Sequence, residues 1–194
     1  MNKQNYFFFK RIFDLFLGTL ISLILLFPLI IIALIVKLTS KGPVIYWSQR
    51  IGINNNLFSM PKFRTMFVNT PQVATHLLED VDKKVTKVGK VLRTLSLDEF
   101  PQLYSIIRGD MCFVGPRPAL FNQDDLIALR TKNKIHLITP GLTGWAQVSG
   151  RDELSIEEKV RLDKEYLDSM SLFIDLKILF ITAFKVLRSN DVTH

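Results

Sequence analysis

The stretch that decides the architecture is LFLGTLISLILLFPLIIIALIV, which runs from Leu15 to Val36 without a charged residue. A straight helix of this length reaches about 33 Å, enough to cross a hydrocarbon core of roughly 30 Å. A signal peptide fits poorly, because the apolar stretch is too long and the sequence KLTSK follows it in place of a small-residue cleavage site. The segment therefore predicts a membrane anchor.

Two features of this segment leave its topology open. Pro28 lies inside it, where proline removes a backbone donor and kinks a helix. Basic residues flank both ends, Lys10 and Arg11 before it and Lys37 and Lys41 after it, so the positive-inside rule gives little asymmetry to orient a crossing. Physical argument alone leaves two alternatives: a re-entrant hairpin with both ends on the cytoplasmic face, and a kinked spanning helix.

The composition bounds the function only loosely. The chain of 194 residues has about one domain's length and a formal net charge of +7. A basic balance is compatible with nucleic acid, anionic lipid or phosphorylated substrates, and charge alone does not choose among them. The single cysteine, Cys112, excludes an intrachain disulfide and is expected to be buried and structural.

After the anchor, the pattern predicts a small β-hairpin. The stretches PVIYWSQRIGI and LFSMPKFRTM are rich in β-branched and aromatic residues, as strands are. Three asparagines at 54–56 separate them and indicate a turn, because asparagine tolerates positive φ. Pro61 indicates that the second strand lies at a sheet edge.

Helices are predicted to dominate the rest of an α+β domain. Ser96 and Glu99 form a capping-box pattern that predicts the start of a helix, and Gly109 predicts its end. The last helix either belongs to the core or lies flat on an anionic membrane, and the anchor favours membrane contact. The other expectations are a short basic helix over 85–95, loop over 110–150, a charged helix over 155–169 and the last helix over 172–187.

The acidic pair Asp98-Glu99 is the first candidate for chemistry. A helix capped by Ser96 would place Asp98 in its first turn, where the helix dipole lowers the pKa of a carboxyl group and keeps it ionised, as a nucleophile requires. Glu99 could ligate Mg²⁺, which takes one or two carboxylates plus phosphate oxygens. The structural alternative is that both acids merely complete a first turn.

Three basic side chains are candidates for phosphate binding. Arg117 lies between two prolines in GPRP, which restrict the backbone around a guanidinium suited to bidentate phosphate contact. Lys62 and Arg64 are expected on one strand face, where they could hold a diphosphate or a lipid headgroup. A solvated surface is the alternative for all three. The stretch PGLTGW either brings its backbone and Trp145 against a ligand or packs internally.

Taken in order, these segments resemble the bacterial sugar transferase family, the monotopic phosphoglycosyl transferases that start lipid-linked glycan assembly. The resemblance covers nearly the whole chain, from KRIFD at residue 10 to about Leu187. The segments that carry it are GPVIYWSQRIG, KFRTM, SLDEFPQL, RGDM, FVGPRP, GLTGWAQVSGR and IDLKILFITAFKVL.

The resemblance implies a fold and a reaction. Residues 1–40 would form a re-entrant anchor and 41–194 a catalytic domain, with amphipathic helices at the cytoplasmic face of the bacterial inner membrane. A sugar 1-phosphate would move from a UDP-sugar to undecaprenyl phosphate with release of UMP. In this family the aspartate of the Asp-Glu pair is the nucleophile, so Asp98 would form a covalent phosphosugar intermediate, and Glu99 would hold the required Mg²⁺.

The resemblance also implies further site residues and partners. Membrane lipids are expected partners, a second copy of the chain is a candidate partner, and nucleic acid is not expected. Substrate or phosphate binding is expected of Lys62, Arg64, Arg93, Arg117, Arg151 and Asp163.

The sequence departs from the family pattern at four positions, two of them in loops that could reflect sugar preference. Phe27 stands where serine precedes the helix-breaking proline, and Asn55 where a turn glycine is usual. Thr139 replaces an arginine before Pro-Gly, and Ser149 replaces an asparagine after WAQV. Two other functions stay open beside the transferase: a non-catalytic membrane scaffold with a basic face, and a membrane phosphohydrolase that uses an aspartyl phosphate.

Overall fold

The computed structural model describes residues 3–71, 80–150 and 154–188. They form a helix-dominated α+β fold with a long apolar N-terminal helix, as the sequence predicts. The helices and strands, in chain order, are α1 (Lys3–Thr39), β1 (Ile45–Ile51), β2 (Leu57–Phe63), α2 (Val81–Lys84), α3 (Lys87–Thr94), α4 (Leu103–Arg108), β3 (Cys112–Val114), α5 (Asp124–Lys132), β4 (Gly141–Thr143), α6 (Trp145–Ser149), α7 (Ile156–Ser169) and α8 (Leu172–Arg188).

Helix α1 continues through Pro28 and packs against the rest of the chain along both of its halves. Leu17 and Ile21 of the first half contact the main core, and Val36 of the second half belongs to a separate buried cluster. By length and composition the segment Gln4–Thr39 could cross a membrane, because a window of 18 residues within it has a mean hydropathy of 3.1. Its two ends nevertheless contact the same folded body.

A buried polar network joins the first turns of α1 to α7 and α8. Lys10 donates a hydrogen bond of 2.7 Å to Asp175, and the Tyr6 hydroxyl donates one of 2.9 Å to the same carboxylate. The Tyr166 hydroxyl donates to the other oxygen of Asp175 at 2.7 Å. One turn later, Asp14 accepts a backbone N–H of β3 at 3.1 Å. Because these groups are buried, each depends on its partners, and together they fix α1 on the domain.

The predicted hairpin and its asparagine turn are confirmed. Strands β1 and β2 pair antiparallel, with Tyr46 opposite Lys62. Asn54 and Asn55 have φ values of 55° and 59°, the left-handed region that asparagine tolerates. Directly opposite residues project from the same face of a sheet, and so do residues two apart along a strand, so Arg50 shares the face of Lys62.

The predicted capping box at Ser96 is wrong. Ser96 is left-handed, with a φ of 54°, and within the described residues its hydroxyl makes no capping hydrogen bond. A 3₁₀ turn over Leu97–Gln102 follows, and α4 begins only at Leu103. The carboxylate of Glu99 is held by cations of other elements and does not return to the Ser96 backbone. The predicted end of the helix at Gly109, whose φ is 102°, is confirmed.

The prediction of loop over 110–150 is also wrong. Strands β3 and β4 lie in this range and pair in parallel, with Cys112 opposite Gly141, and α5 and α6 are in the same range. A Cβ added at Gly141 would lie 2.1 Å from the backbone nitrogen of Gly115, so only glycine permits this approach. Strands of three residues are too short to show an alternating pattern, which is why the sequence did not reveal them.

The last two helices are confirmed, and α8 contributes to the core, whereas its contact with a membrane stays a prediction. Ile178 is fully buried in the main core, whereas Phe173 and Phe180 on the same helix are 77% and 75% exposed. Helix α8 therefore closes the core with one face and presents large apolar side chains with another. Exposed aromatic side chains of this size on one helix are typical of a surface that contacts lipid or protein.

Candidate active site

The acidic pair lies in the 3₁₀ turn that packs against β2. Glu99 accepts two hydrogen bonds on the same oxygen, Oε1: one of 2.8 Å from Lys62 Nζ and one of 2.6 Å from Arg117 Nη2. Asp98, the preceding residue, is buried, with 8% of its surface exposed. The structure thus brings Asp98, Glu99, Lys62 and Arg117 into one cluster, although they come from three separate segments of the chain.

The two carboxyl groups of the cluster differ in acidity. Burial alone would raise the pKa of Glu99, but the charges of Arg117 and Lys62 and the hydrogen bonds they donate outweigh it and hold the pKa well below its usual range. Glu99 is therefore a permanent anion that orients two cations. Lys62 in turn has a lowered pKa because it is buried, and the charge of Glu99 limits that fall.

Asp98 is shifted in the opposite direction. Burial raises the pKa of the Asp98 carboxyl group, the charge of Lys62 lowers it, and the charge of Glu99 adds to the rise. Arg93 and Arg117 also lower the pKa but do not cancel the effect of burial. The expectation that a helix dipole lowers this pKa is wrong, because Asp98 is not in the first turn of an α-helix. A desolvated carboxylate of raised pKa is a stronger nucleophile when it is ionised.

Arg50 belongs to the cluster and was not anticipated from the sequence. It projects from β1 on the face of Lys62, and its Nη1 donates to the Pro118 carbonyl at 3.1 Å. Burial, with the nearby charge of Arg117, lowers the pKa of Arg50 to about 10. Side chains alternate between the two faces of β1, and the hairpin register places Tyr46 opposite Lys62. These two facts could have identified Arg50 as a residue on the face of Lys62.

The loop 115–118, which carries Arg117, is held by three neighbouring elements. Two backbone hydrogen bonds of 2.8 and 2.9 Å join it to β4. Arg50 reaches it from β1, and Arg130 of α5 donates to the Arg117 carbonyl at 2.7 Å. The backbone on which the Arg117 guanidinium is mounted is therefore fixed independently of its ion pair with Glu99.

Arg64 does not join the cluster. Its guanidinium donates to the Ser40 carbonyl at 2.9 Å, to the Ser40 hydroxyl at 2.8 Å and to the Lys41 carbonyl, all at the end of α1. Strand β2 ends at Phe63, so the alternation that placed Arg64 beside Lys62 does not extend to it. Arg64 stabilises the carbonyl end of α1, where a cation is favoured by the helix dipole.

Asp163 lies behind the site and not on its surface. Asp163 is 1% exposed, and one of its carboxylate oxygens accepts hydrogen bonds of 2.6 and 3.0 Å from Arg130. Arg93, in the last turn of α3, is near enough to lower the pKa of Asp98 by its charge. Arg151 lies outside the described residues.

Two further expectations concern residues outside the cluster. The Trp145 indole N–H donates to Glu165 at 3.2 Å, and Lys177 lies 5.4 Å from the centre of its ring, so the PGLTGW stretch packs internally. The Cys112 thiol is buried and lies 3.1 Å from the Val114 carbonyl. Burial raises the pKa of Cys112 to about 12, which makes the thiol unreactive, as expected of a structural cysteine.

The adjacent carboxylates are the groups of the cluster that could hold a metal ion. Within the described residues no group of three or more His, Cys, Asp or Glu side chains has the geometry to hold one. Mg²⁺ does not require such a group, because it takes one or two carboxylates and completes its shell with phosphate oxygens and water. The Asp98-Glu99 pair fits this demand, although Glu99 Oε1 already faces two cations.

The cluster therefore combines a buried nucleophile candidate with a set of fixed cations, an arrangement suited to phosphoryl chemistry. The model of the family described as bacterial sugar transferase matches residues 5–189. The chain belongs to the bacterial sugar transferase family. The match includes α1, the hairpin, the acidic pair and the loop 115–118, so every part of the cluster lies within the family domain.

Individual relatives agree with this assignment. The chain is 40% identical over 189 residues to the uncharacterized sugar transferase EpsL of Bacillus subtilis (strain 168), covering 94% of this chain and 89% of the relative. It is 40% identical to the UDP-glucose:undecaprenyl-phosphate glucose-1-phosphate transferase of Escherichia coli (strain K12) and 37% identical to the undecaprenyl-phosphate galactose phosphotransferase of Salmonella typhimurium. These alignments cover 91% and 97% of this chain, but only 39% and 42% of those two relatives.

Proposed function

We propose that this protein transfers a sugar 1-phosphate from a UDP-sugar to undecaprenyl phosphate and releases UMP. The observation that carries the proposal is the buried Asp98, whose pKa is raised, beside a Glu99 that fixes Lys62 and Arg117. The names of the relatives supply the lipid acceptor and the class of reaction. Membership of the family makes the chain a transferase of phosphorus-containing groups.

In the first step, the ionised Asp98 carboxylate attacks the β-phosphorus of the UDP-sugar. A bond forms between the carboxylate oxygen and phosphorus, the bond from phosphorus to the bridging oxygen breaks, and UMP leaves with that electron pair. Lys62, Arg50 and Arg117 offer fixed positive charge to the phosphate oxygens during this step. Glu99 holds two of these cations in place.

In the second step, an oxygen of undecaprenyl phosphate attacks the same phosphorus. The bond to Asp98 breaks, the carboxylate leaves as an anion, and the product is an undecaprenyl diphosphate sugar. Dividing the transfer into two displacements lets a soluble donor and a membrane-bound acceptor react at one carboxylate in turn. A raised pKa suits Asp98 as the attacking group, and its own proton is not needed in either step.

Mg²⁺ is the proposed cofactor, and Glu99 would hold it. When bound, it neutralises charge on the diphosphate of the donor. In the protein alone, Lys62 and Arg117 neutralise Glu99, so binding of the metal has to compete with these ion pairs. Because the Glu99→Gln substitution removes the charge that would hold the metal, it should raise the Mg²⁺ concentration that gives half-maximal activity.

We propose further that the chain enters the membrane from the cytoplasmic face and returns to it. Both halves of α1 pack on one folded body, which a helix that left that body to cross the bilayer would not do. Exposed apolar side chains of α8, such as Phe173 and Phe180, add a second surface for lipid. Cysteines introduced at Asn5 and Lys41 should be labelled from the same side of sealed vesicles, and labelling from opposite sides would contradict the proposal.

The reaction is tested with purified protein in lipid nanodiscs that contain undecaprenyl phosphate. UMP release is measured with Mg²⁺ and a panel of UDP-sugars for the wild-type protein, for Asp98→Asn and for the matched control Asp168→Asn, which changes an exposed aspartate of α7. We expect release with at least one donor, near-complete loss in Asp98→Asn and wild-type rates in the control.

The competing functions predict different results in the same assay. A scaffold would release no UMP from any donor, and its activity in cells would survive Asp98→Asn. A phosphohydrolase would release sugar phosphate over many turnovers without the lipid acceptor. The transferase should instead stop after at most one equivalent of UMP per protein when undecaprenyl phosphate is omitted, with the sugar phosphate bound to Asp98.

A further inference from the structure

The loop that carries Arg117 is held at two successive carbonyl oxygens by arginines from different elements. Arg130 of α5 donates to the Arg117 carbonyl at 2.7 Å, and Arg50 of β1 donates to the Pro118 carbonyl at 3.1 Å. A guanidinium presents its donors in a rigid planar fork, so its hydrogen bonds fix direction as well as distance. The backbone at Arg117 is thus held from two sides.

Arg130 is itself fixed by a buried carboxylate. Its Nε and Nη2 donate to one oxygen of Asp163 at 3.0 and 2.6 Å, and the side chains are 12% and 1% exposed. Burying an ion pair costs desolvation energy that its attraction roughly offsets, so such a pair is a weak source of stability. The pair does specify geometry, because it leaves Nη1 of Arg130 aimed at the Arg117 carbonyl.

We infer that Arg130, oriented by Asp163, is a positioning residue that holds Arg117 at the distance from Asp98 and Glu99 that the reaction requires. The inference rests on the proposed function for its catalytic consequence and on the contacts above for its geometry. It gives Asp163 a role through Arg130 and Arg117 in place of contact with substrate. Small displacements of a charge-stabilising group can cost about 100-fold in rate, so the effect should be measurable.

The geometric part is tested by hydrogen exchange of full-length protein in nanodiscs. In Arg130→Gln, the peptide that covers residues 113–120 should exchange at least tenfold faster than in the wild-type protein. Peptides of α8 should not change, because the hydrogen bonds of Arg130 within the described residues go to Asp163 and to the Arg117 carbonyl. Arg161→Gln, which removes an exposed arginine of α7 that pairs with Glu165 at 2.5 Å, is the matched control and should leave the loop unchanged. Unchanged exchange of the loop in Arg130→Gln would overturn the inference even if the protein had no transferase activity.

The catalytic part is tested by a double-mutant cycle on the single-turnover rate of UMP release. Arg130→Gln should lower this rate by about 10- to 100-fold in the wild-type background. It should lower it less than threefold in an Arg117→Gln background, because the group that Arg130 positions is then absent. Equal losses in both backgrounds would mean a general structural role and would overturn the inference.

Two variants keep the test decisive if Arg130→Gln does not fold. Arg130→Lys keeps the charge beside Asp163 but lacks the fork that reaches the Arg117 carbonyl, so it should fold and still show the faster loop exchange. Asp163→Asn should give a smaller loss of rate than Arg130→Gln, and Asp168→Asn should give none. A wild-type protein that releases no UMP would refute the proposed function, whereas an active wild type with unaffected variants would refute only this inference.

Discussion

Replacing Glu99 by glutamine tests the electrostatic account of the active site most directly. Glu99 Oε1 accepts hydrogen bonds of 2.8 Å from Lys62 and 2.6 Å from Arg117. Glutamine has nearly the same shape and keeps an acceptor oxygen, but it loses the charge that both cations face. Any change in stability therefore reports on that charge and not on the packing of the 3₁₀ turn.

The expected magnitude follows from the two hydrogen bonds. A hydrogen bond to a charged group contributes about 1.5–3 kcal/mol. In the variant, Lys62 and Arg117 stay charged and still donate to a neutral oxygen, so we expect each bond to lose about half of its contribution. Two such losses would cost roughly 1.5–3 kcal/mol. The Glu99 and Arg117 side chains are 21% and 41% exposed, so water compensates for part of the loss, and we expect about 2 kcal/mol. For a chain of this size, that lowers the Tm by about 4–8 °C.

The assay is thermal unfolding in nanodiscs, followed by the fluorescence of the two tryptophans. The matched control is Asp168→Asn, which breaks an exposed ion pair with Lys164 and should cost no more than about 0.5 kcal/mol, or about 1–2 °C. In the variant, Glu99 no longer opposes the fall in the pKa of Lys62. The difference in Tm between the wild-type protein and the Glu99 variant should therefore shrink as the pH is raised from 7 to 10 and Lys62 loses its proton.

Two results would refute this reasoning. A fall in Tm no larger than that of the control would mean that solvent screens the Glu99 charge. A rise in Tm would mean that the cost of burying Glu99 exceeds its attraction to Lys62 and Arg117. In either case Glu99 could not be the anion that orders the cations of the site.

Four further substitutions test the acidity of Asp98, the close approach at Gly141 and the role of Arg64. Asp98→Asn should raise the Tm at pH 7, because ionising a carboxyl group of raised pKa in the folded protein costs free energy above the unfolded pKa of about 3.9. The gain in Tm should disappear as the pH falls below about 4. A gain that does not change with pH would contradict the raised pKa. Gly141→Ala should lower the free energy of unfolding by more than about 3 kcal/mol or prevent folding, since its Cβ would lie 2.1 Å from the Gly115 nitrogen. Gly18 lies inside α1, and a Cβ there would have its nearest neighbour at 3.5 Å. Gly18→Ala should therefore raise the free energy of unfolding by about 0.5–1 kcal/mol. Arg64→Met should lower the Tm through lost hydrogen bonds to Ser40 and Lys41 and leave the KM for the UDP-sugar unchanged; a large rise in KM would restore Arg64 as a phosphate ligand.

Local patterns in the sequence were sufficient for much of the fold. The uncharged stretch from Leu15 to Val36 predicted the long N-terminal helix, because such a run cannot be solvated as loop. The hairpin with its asparagine turn and the helices α7 and α8 followed from alternation, turn chemistry and periodicity, which depend on residues close in sequence. Seven motifs in order along nearly the whole chain, behind the apolar anchor, were sufficient to identify the family.

Tertiary structure decided what depends on contacts between distant segments. The residues from Ser96 to Glu99 fit a capping box locally, yet the Glu99 carboxylate accepts hydrogen bonds from Lys62 and Arg117. Two charged hydrogen bonds outweigh one bond to the backbone at the cap. Burial decides the direction of the Asp98 pKa shift. Distances through space decide that Arg50 belongs to the cluster and that Asp163 acts on the Arg117 carbonyl through Arg130. The sequence by itself determined which groups are candidates for the chemistry, whereas only the packed fold decided their acidity and which of them hold the others in place.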